Sequence, residues 1–230
     1  MKRFTTTVAA AGFVLAGFAT TASAQNYVVE AKTFVGTALQ CAPSPAGRKI
    51  VTSSWENGLG LADAGPTHPG VAKDIHQGLL MSKNGQTSNC SAAYADIVGW
   101  TAGAPVTELG FDVRKGGACG AGAPRINLYS GANTYFFGCT YGVVSGAPQD
   151  PANWDRVRFN QAGEPIGGYP GAGGFIWGVT PVDSIQIIFD EGTDTATGVD
   201  NPAGIGLTVL DNIKINGTTV TKKKGNPIVP

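Results

Sequence analysis

The sequence predicts an all-β fold, a single antiparallel β-sandwich, and three observations carry that expectation. Short runs alternate apolar and polar residues with a period of two, glycine and asparagine turns separate them, and no stretch sustains a helical period. The pattern is clearest between Val106 and Val144. In TELGFDVRK, Leu109, Phe111 and Val113 fall on one side, and Glu108, Gly110, Asp112 and Arg114 on the other. RINLY and TYFFGCTYGVV follow as two more strands, separated by SGAN, whose Gly131 and Asn133 tolerate left-handed backbone angles.

The ends set the boundaries. Lys2 and Arg3 precede an apolar run from Val8 to Ala19, and Ala22, Ser23 and Ala24 supply the small residues before a cleavage point, so residues 1–24 read as a secretory signal. The run is shorter than the roughly 20 residues that cross a bilayer, and no transmembrane segment is expected after cleavage. Residues 25–220 are long enough for one domain with a large core. Without Lys2 and Arg3 the chain has two more acids than bases. It has no basic stripe of the kind that binds nucleic acid. Residues 221–230, TKKKGNPIVP, read as a flexible basic tail.

All four cysteines follow the signal, and an even number in an exported chain favours two disulfides. Pairing neighbours in chain order gives Cys41 with Cys90 and Cys119 with Cys139. Loop-closure entropy would contribute roughly 4 and roughly 3 kcal/mol respectively. A metal site is the weaker reading: no CxxC is present, and His68 and His76 stand at no usual spacing from a cysteine.

Along the chain, YVVEAKTFV and KIVTSSW read as strands, and ENGLGLADAGPTHPG as a long loop. VAKDIHQGLLM fits a short amphipathic helix. Gly78 weighs against it, and two strands around an Asn84–Gly85 turn, IHQGLLMSK and SAAYADIVGW, are preferred. In WDRVRFN, Asp155, Val157 and Phe159 share one face, and Trp154, Arg156, Arg158 and Asn160 the other. FIWGV and SIQIIFD add strand signal. GIGLTVLDNIKINGTTV reads as two sheet-closing segments whose register changes at Asp211–Asn212.

Taken together, FDVRK, CGAGAPRINLY, YFFGC and LDNIKING resemble secreted bacterial β-sandwich domains of the jelly-roll, or galactose-binding-like, type. The resemblance implies a jelly-roll-like sandwich used for carbohydrate binding or adhesion, and one fold serves many functions.

Two sets of residues are candidate sites. Trp154, beside Arg156 and Arg158, forms an aromatic-polar strip that Asp112, Arg114, Arg125 and Asn127 would extend. A sugar's C–H face stacks on an aromatic ring while its hydroxyls need planar donors and acceptors. The bland alternative is that these groups satisfy one another across strands and that arginine stems cover a core tryptophan. Trp55, Trp100 and Trp177 are weaker candidates. Asp190, Glu191, Asp194 and Asp211 offer hard oxygen donors for a structural calcium ion, although exposed acids in a turn explain them equally.

An enzyme would need more. His68, His76, Asp63 and Asp74 could assemble an acid–base pair, and Glu108, Asp112, Asp155 and Glu164 supply carboxylates of the kind that cleave glycosides. GVVSG is not a nucleophile elbow and HExxH is absent. The sequence therefore points to a non-catalytic binding or structural protein of the extracellular space, periplasm or cell envelope, with polysaccharide or envelope glycan as partner. The alternatives are a small secreted carbohydrate-active hydrolase or lyase, and a self-assembling matrix protein that associates through strand edges.

Overall fold

The structure, a computed structural model, describes residues 27–62, 76–160, 167–168, 174–195 and 204–222. The expected signal segment and residues 223–230 of the expected tail lie outside them. In chain order the strands are β1 (Val28–Val35), β2 (Val51–Glu56), β3 (Gly78–Lys83), β4 (Ser91–Val98), β5 (Ala104–Pro105), β6 (Glu108–Arg114), β7 (Arg125–Ser130) and β8 (Asn133–Gly138). They continue as β9 (Val143–Gly146), β10 (Trp154–Asn160), β11 (Gly167–Gly168), β12 (Pro181–Val182), β13 (Ser184–Phe189), β14 (Leu207–Ile215), β15 (Thr218–Thr219) and β16 (Thr221–Lys222). A short α-helical turn, Ala38–Cys41, follows β1, with Thr37 and Gln40 forming a capping box.

Two sheets pack face to face as a jelly-roll-like sandwich. Sheet A runs β11-β8-β7-β13-β4-β1-β16, and sheet B runs β2-β3-β14-β6-β10-β9 with β15 attached to β14. Among the described residues every pairing is antiparallel except that of β1 with β16. Thr221 and Lys222, at the start of the expected tail, are thus paired with Val28 and Val29. The inward faces alternate as the sequence requires: Leu79, Met81, Leu109 and Phe111 from sheet B meet Ile126, Leu128 and Ile187 from sheet A. Phe137 and Phe159 cross the interface edge to face, 5.8 Å apart. Each such side chain contributes about 1.5–3 kcal/mol by leaving water.

Both expected disulfides are present, Cys41–Cys90 and Cys119–Cys139. A Cβ at Gly36 would run into both sulfurs of the first bridge, so only glycine fits there.

Several local expectations need correction. The three strands read in succession between Val106 and Val144 do not lie side by side: β6 belongs to sheet B, while β7 and β8 form a hairpin in sheet A. Cys119 therefore lies in the crossover between sheets, and Cys139 in a 3-10 turn just after β8. In the hairpin turn Gly131 has φ 57°, but Asn133 is already strand, paired with Ser130. The two strands expected between residues 76 and 98 exist, as β3 and β4, yet they sit in opposite sheets. FIWGV is a turn rather than a strand, with Phe175 and Trp177 stacked against Phe137. The closing segment is one nine-residue strand, β14, placed centrally between β3 and β6. The register shift at Asp211–Asn212 is real: a β-bulge falls there, with Asn212 at φ 44°.

Candidate functional site

The outward face of sheet A carries a continuous polar strip across four strands. Alternation turns Glu30, Lys32 and Phe34 of β1 outward, and with them Ala92, Tyr94 and Asp96 of β4, Gln186 and Ile188 of β13, and Arg125, Asn127 and Tyr129 of β7. Lys32 Nζ lies 3.2 Å from Glu30 and donates to Asp96 Oδ2 at 2.7 Å. Gln186 Nε2 donates to the other Asp96 oxygen at 2.7 Å, and the Tyr129 hydroxyl donates to Gln186 Oε1 at 2.7 Å. Asn127 Nδ2 reaches the Tyr129 hydroxyl at 3.3 Å, and Arg125 Nε donates to Asn127 Oδ1 at 3.0 Å. The chain ends where Arg125 clasps Asp190 through two bonds of 2.6 and 2.8 Å. Arg125 also lies over the Phe136 ring, 5.3 Å from its centre.

These bonds hold the side chains against one another along the face. Its hydrogen bonds to Asp96, then Glu30, hold the Lys32 ammonium well above the ordinary lysine range. Beside the strip, Phe34, Ala92, Tyr94, Gln186 and Ile188 line a shallow depression of about 330 Å³. Ala92 and Ile188 supply apolar side chains and Tyr94 and Phe34 aromatic ones, with Phe34 38% exposed. From β1 to β7 the face spans three strand spacings, roughly 15 Å.

The outward face of sheet B holds the other half of the expected strip, and there the expectation fails. Trp154, Arg156 and Arg158 do share a face, in register with Arg114, Asp112 and Gly110 of β6. The Trp154 end of that face is covered, while Arg114 is exposed and Arg156 half-buried. Trp154 is only 4% exposed, packed with Leu61, Ala147 and Val209 in a satellite cluster beneath the segment that follows β2. It cannot stack on a sugar. Asp112 is fully buried, and Arg156 grips it with two bonds of 3.0 Å. Arg158 Nη1 stands 3.3 Å away, and Asn212 Nδ2, aimed by the bulge, donates at 2.8 Å. The bond to Asp112 raises the Arg156 proton affinity, while burial lowers that of Arg158, which stays charged in any case. This cluster is a structural ion network, the cross-strand alternative.

The structure gives the four expected calcium donors different partners and surroundings. Asp190 is committed to Arg125. Asp194 accepts from the Thr87 amide and hydroxyl, both at 2.7 Å, which hold its carboxyl below the usual range. Glu191 lies against Gly122, its carboxyl pushed up by burial and the neighbouring Asp190. Asp211 is on sheet B, accepting from the Leu61 amide at 2.7 Å. Among the described residues no three His, Cys, Asp or Glu side chains are grouped to hold a metal.

Elsewhere, Trp55 and Trp100 donate to the carbonyls of Val29 and Val182 and, like Trp177, pack on the core. Of the candidate catalytic acids, Glu108 lies 3.7 Å from Lys214 and Asp155 3.3 Å from Lys115. Asp63, His68, Asp74 and Glu164 fall outside the described residues. Among the described residues β9 is one edge strand of sheet B, with Val143 and Val144 exposed.

Sequence reasoning missed Tyr94, Asp96, Gln186, Tyr129, Lys32 and Phe34. The signal was available, because each occupies the polar side of an alternating strand; what was missing was the order of β1, β4, β13 and β7 across the sheet. Lys83 was missed as well, although LLMSK places it on the side of Leu79 and Met81.

No protein-family model matches the chain, and no curated protein matches it. A solved structure that does match is the family 11 carbohydrate-binding module from Clostridium thermocellum in complex with a β-1,3-1,4-mixed-linked tetrasaccharide. The alignment covers 87% of this chain and 100% of the module, at 13% identity and a TM-score of 0.39. The sandwich is established by its own strand pairing, and a likeness of that size adds nothing to it.

Proposed function

We propose that this chain is an exported, non-catalytic glycan-binding protein that holds a saccharide against the outer face of sheet A. One observation carries the reading: an aromatic depression with apolar side chains opens beside a strip of amide, carboxylate, hydroxyl and cationic groups bonded to one another. Sugar rings present the complementary surface, apolar C–H faces bordered by hydroxyls that donate and accept. Because the strip is already bonded internally, its groups need little ordering when a ligand arrives, which preserves affinity. Two disulfides favour an oxidising compartment such as the periplasm or the extracellular space.

The test is retention of the purified chain by polysaccharides immobilised in native gels, compared with Tyr94→Ala. The account expects saturable retention that Tyr94→Ala loses while its circular dichroism stays that of the parent. Retention unchanged in that variant would remove the sheet A face from the site, and release of sugar products by the purified chain would replace binding with catalysis.

A further inference from the structure

Lys83 ends β3 on the inward side and is 1% exposed, the largest polar side chain sealed in the sandwich. Its ammonium donates to three main-chain carbonyls, of Asn89 at 2.7 Å and of Thr87 and Asp190 at 2.8 Å. Two of those oxygens belong to the loop between β3 and β4, the third to the loop after β13. The two loops also meet directly. Thr193 N donates to Gly85 O at 2.8 Å, and Gly192 N to Thr87 Oγ1 at 2.8 Å. A Cβ at Gly192 would strike the Gly85 carbonyl.

Converging carbonyl oxygens with carboxylates close by form the donor set that hard cations take. A neutral amine has two N–H bonds and would turn its lone pair toward one of the three carbonyl oxygens that stand within 2.8 Å of it in a dry site, which is costly. Three acceptors therefore call for the protonated form. Burial opposes that charge, and the fields of Asp190 and Asp194 favour it.

We propose that the Lys83 ammonium is the resident cation of this loop junction, holding the β3–β4 and post-β13 loops together in place of a structural metal ion. The proposal stands apart from the glycan reading. It accounts for two of the DEGTD acids that read as calcium donors in sequence: Asp190 and Asp194 stand near a cation the chain itself supplies.

The experiment is thermal unfolding of the full chain and of Lys83→Met, each in chelator and in millimolar calcium. The wild type should melt at the same temperature in both, and Lys83→Met should melt roughly 5–15 °C lower in both. A wild-type transition that rises with calcium, or a Lys83→Met transition within about 2 °C of the wild type, would overturn the proposal. Should Lys83→Met fail to fold, lysine-labelled nitrogen NMR of the wild type decides. One slowly exchanging ammonium signal at neutral pH supports the assignment, and none contradicts it.

Discussion

The outer faces of the two sheets use the same side-chain chemistry to opposite ends. On sheet B, Arg156 and Arg158 close over a carboxylate, Asp112, that solvent does not reach, and Trp154 is sealed beside them. On sheet A, Lys32 and Arg125 hold Asp96 and Asp190 along a face whose aromatic side chains stay partly open. Residue type does not separate the two. What separates them, among the described residues, is whether a loop returns over the face. The segment after β2 brings Leu61 onto Val209 and Trp154, with its amide bonded to Asp211. The lesson is that an arginine-carboxylate-aromatic strip becomes a binding surface or a second core according to its cover.

The comparison can be broken most forcefully at Asp112. Replacing it with alanine leaves two guanidinium groups without their shared partner, and loss of one member of a buried network costs about 3–5 kcal/mol. Chemical denaturation should show that loss, while the folded fraction binds glycan as the parent does. Trp154→Ala empties the satellite cluster and should cost about 3 kcal/mol, again without changing affinity. A weakened saccharide affinity in either variant would join the two faces that we keep apart.

A smaller effect is expected on the open face. Phe34→Ala removes a side chain that is 38% exposed. Stability should change by under about 1 kcal/mol, and calorimetry should find saccharide affinity roughly tenfold lower. The smallest effect concerns Glu191. Its folded proton affinity is raised, so its contribution is full below the unfolded value near pH 4.5 and is lost as pH rises through the folded value. Glu191→Gln should therefore be more stable than the parent at neutral pH, by a few tenths of a kcal/mol after solvent screening, and the difference should vanish in acid. Equal melting temperatures at neutral pH would show that the carboxylate is not desolvated.

Much of this was legible in the sequence, and the boundary is a physical one. Period-two alternation assigned Val157 and Phe159 inward, and Asp112 and Arg156 to the opposite side, because it reports a local property of the backbone. The cysteine pairs followed from neighbourhood in the chain. Exposure did not follow. Trp154 meets Leu61 and Val209, residues far away in sequence, so no local pattern could show that it was covered. Strand order was hidden for the same reason: Arg125 and Asn127 looked like extensions of the Trp154 strip, yet β7 pairs with β13 on the other sheet. The acids of the post-β13 loop looked like calcium donors because the lysine that meets them, Lys83, ends a strand more than a hundred residues earlier.

The central claim is that the outer face of sheet A, and not the Trp154 face of sheet B, meets the saccharide. Backbone amide shifts during titration with an oligosaccharide retained in gels test it most directly. The account predicts that the largest changes map to Lys32, Phe34, Tyr94 and Gln186, with Asp112 and Arg156 unmoved. Changes centred on β6 and β10 instead would contradict it.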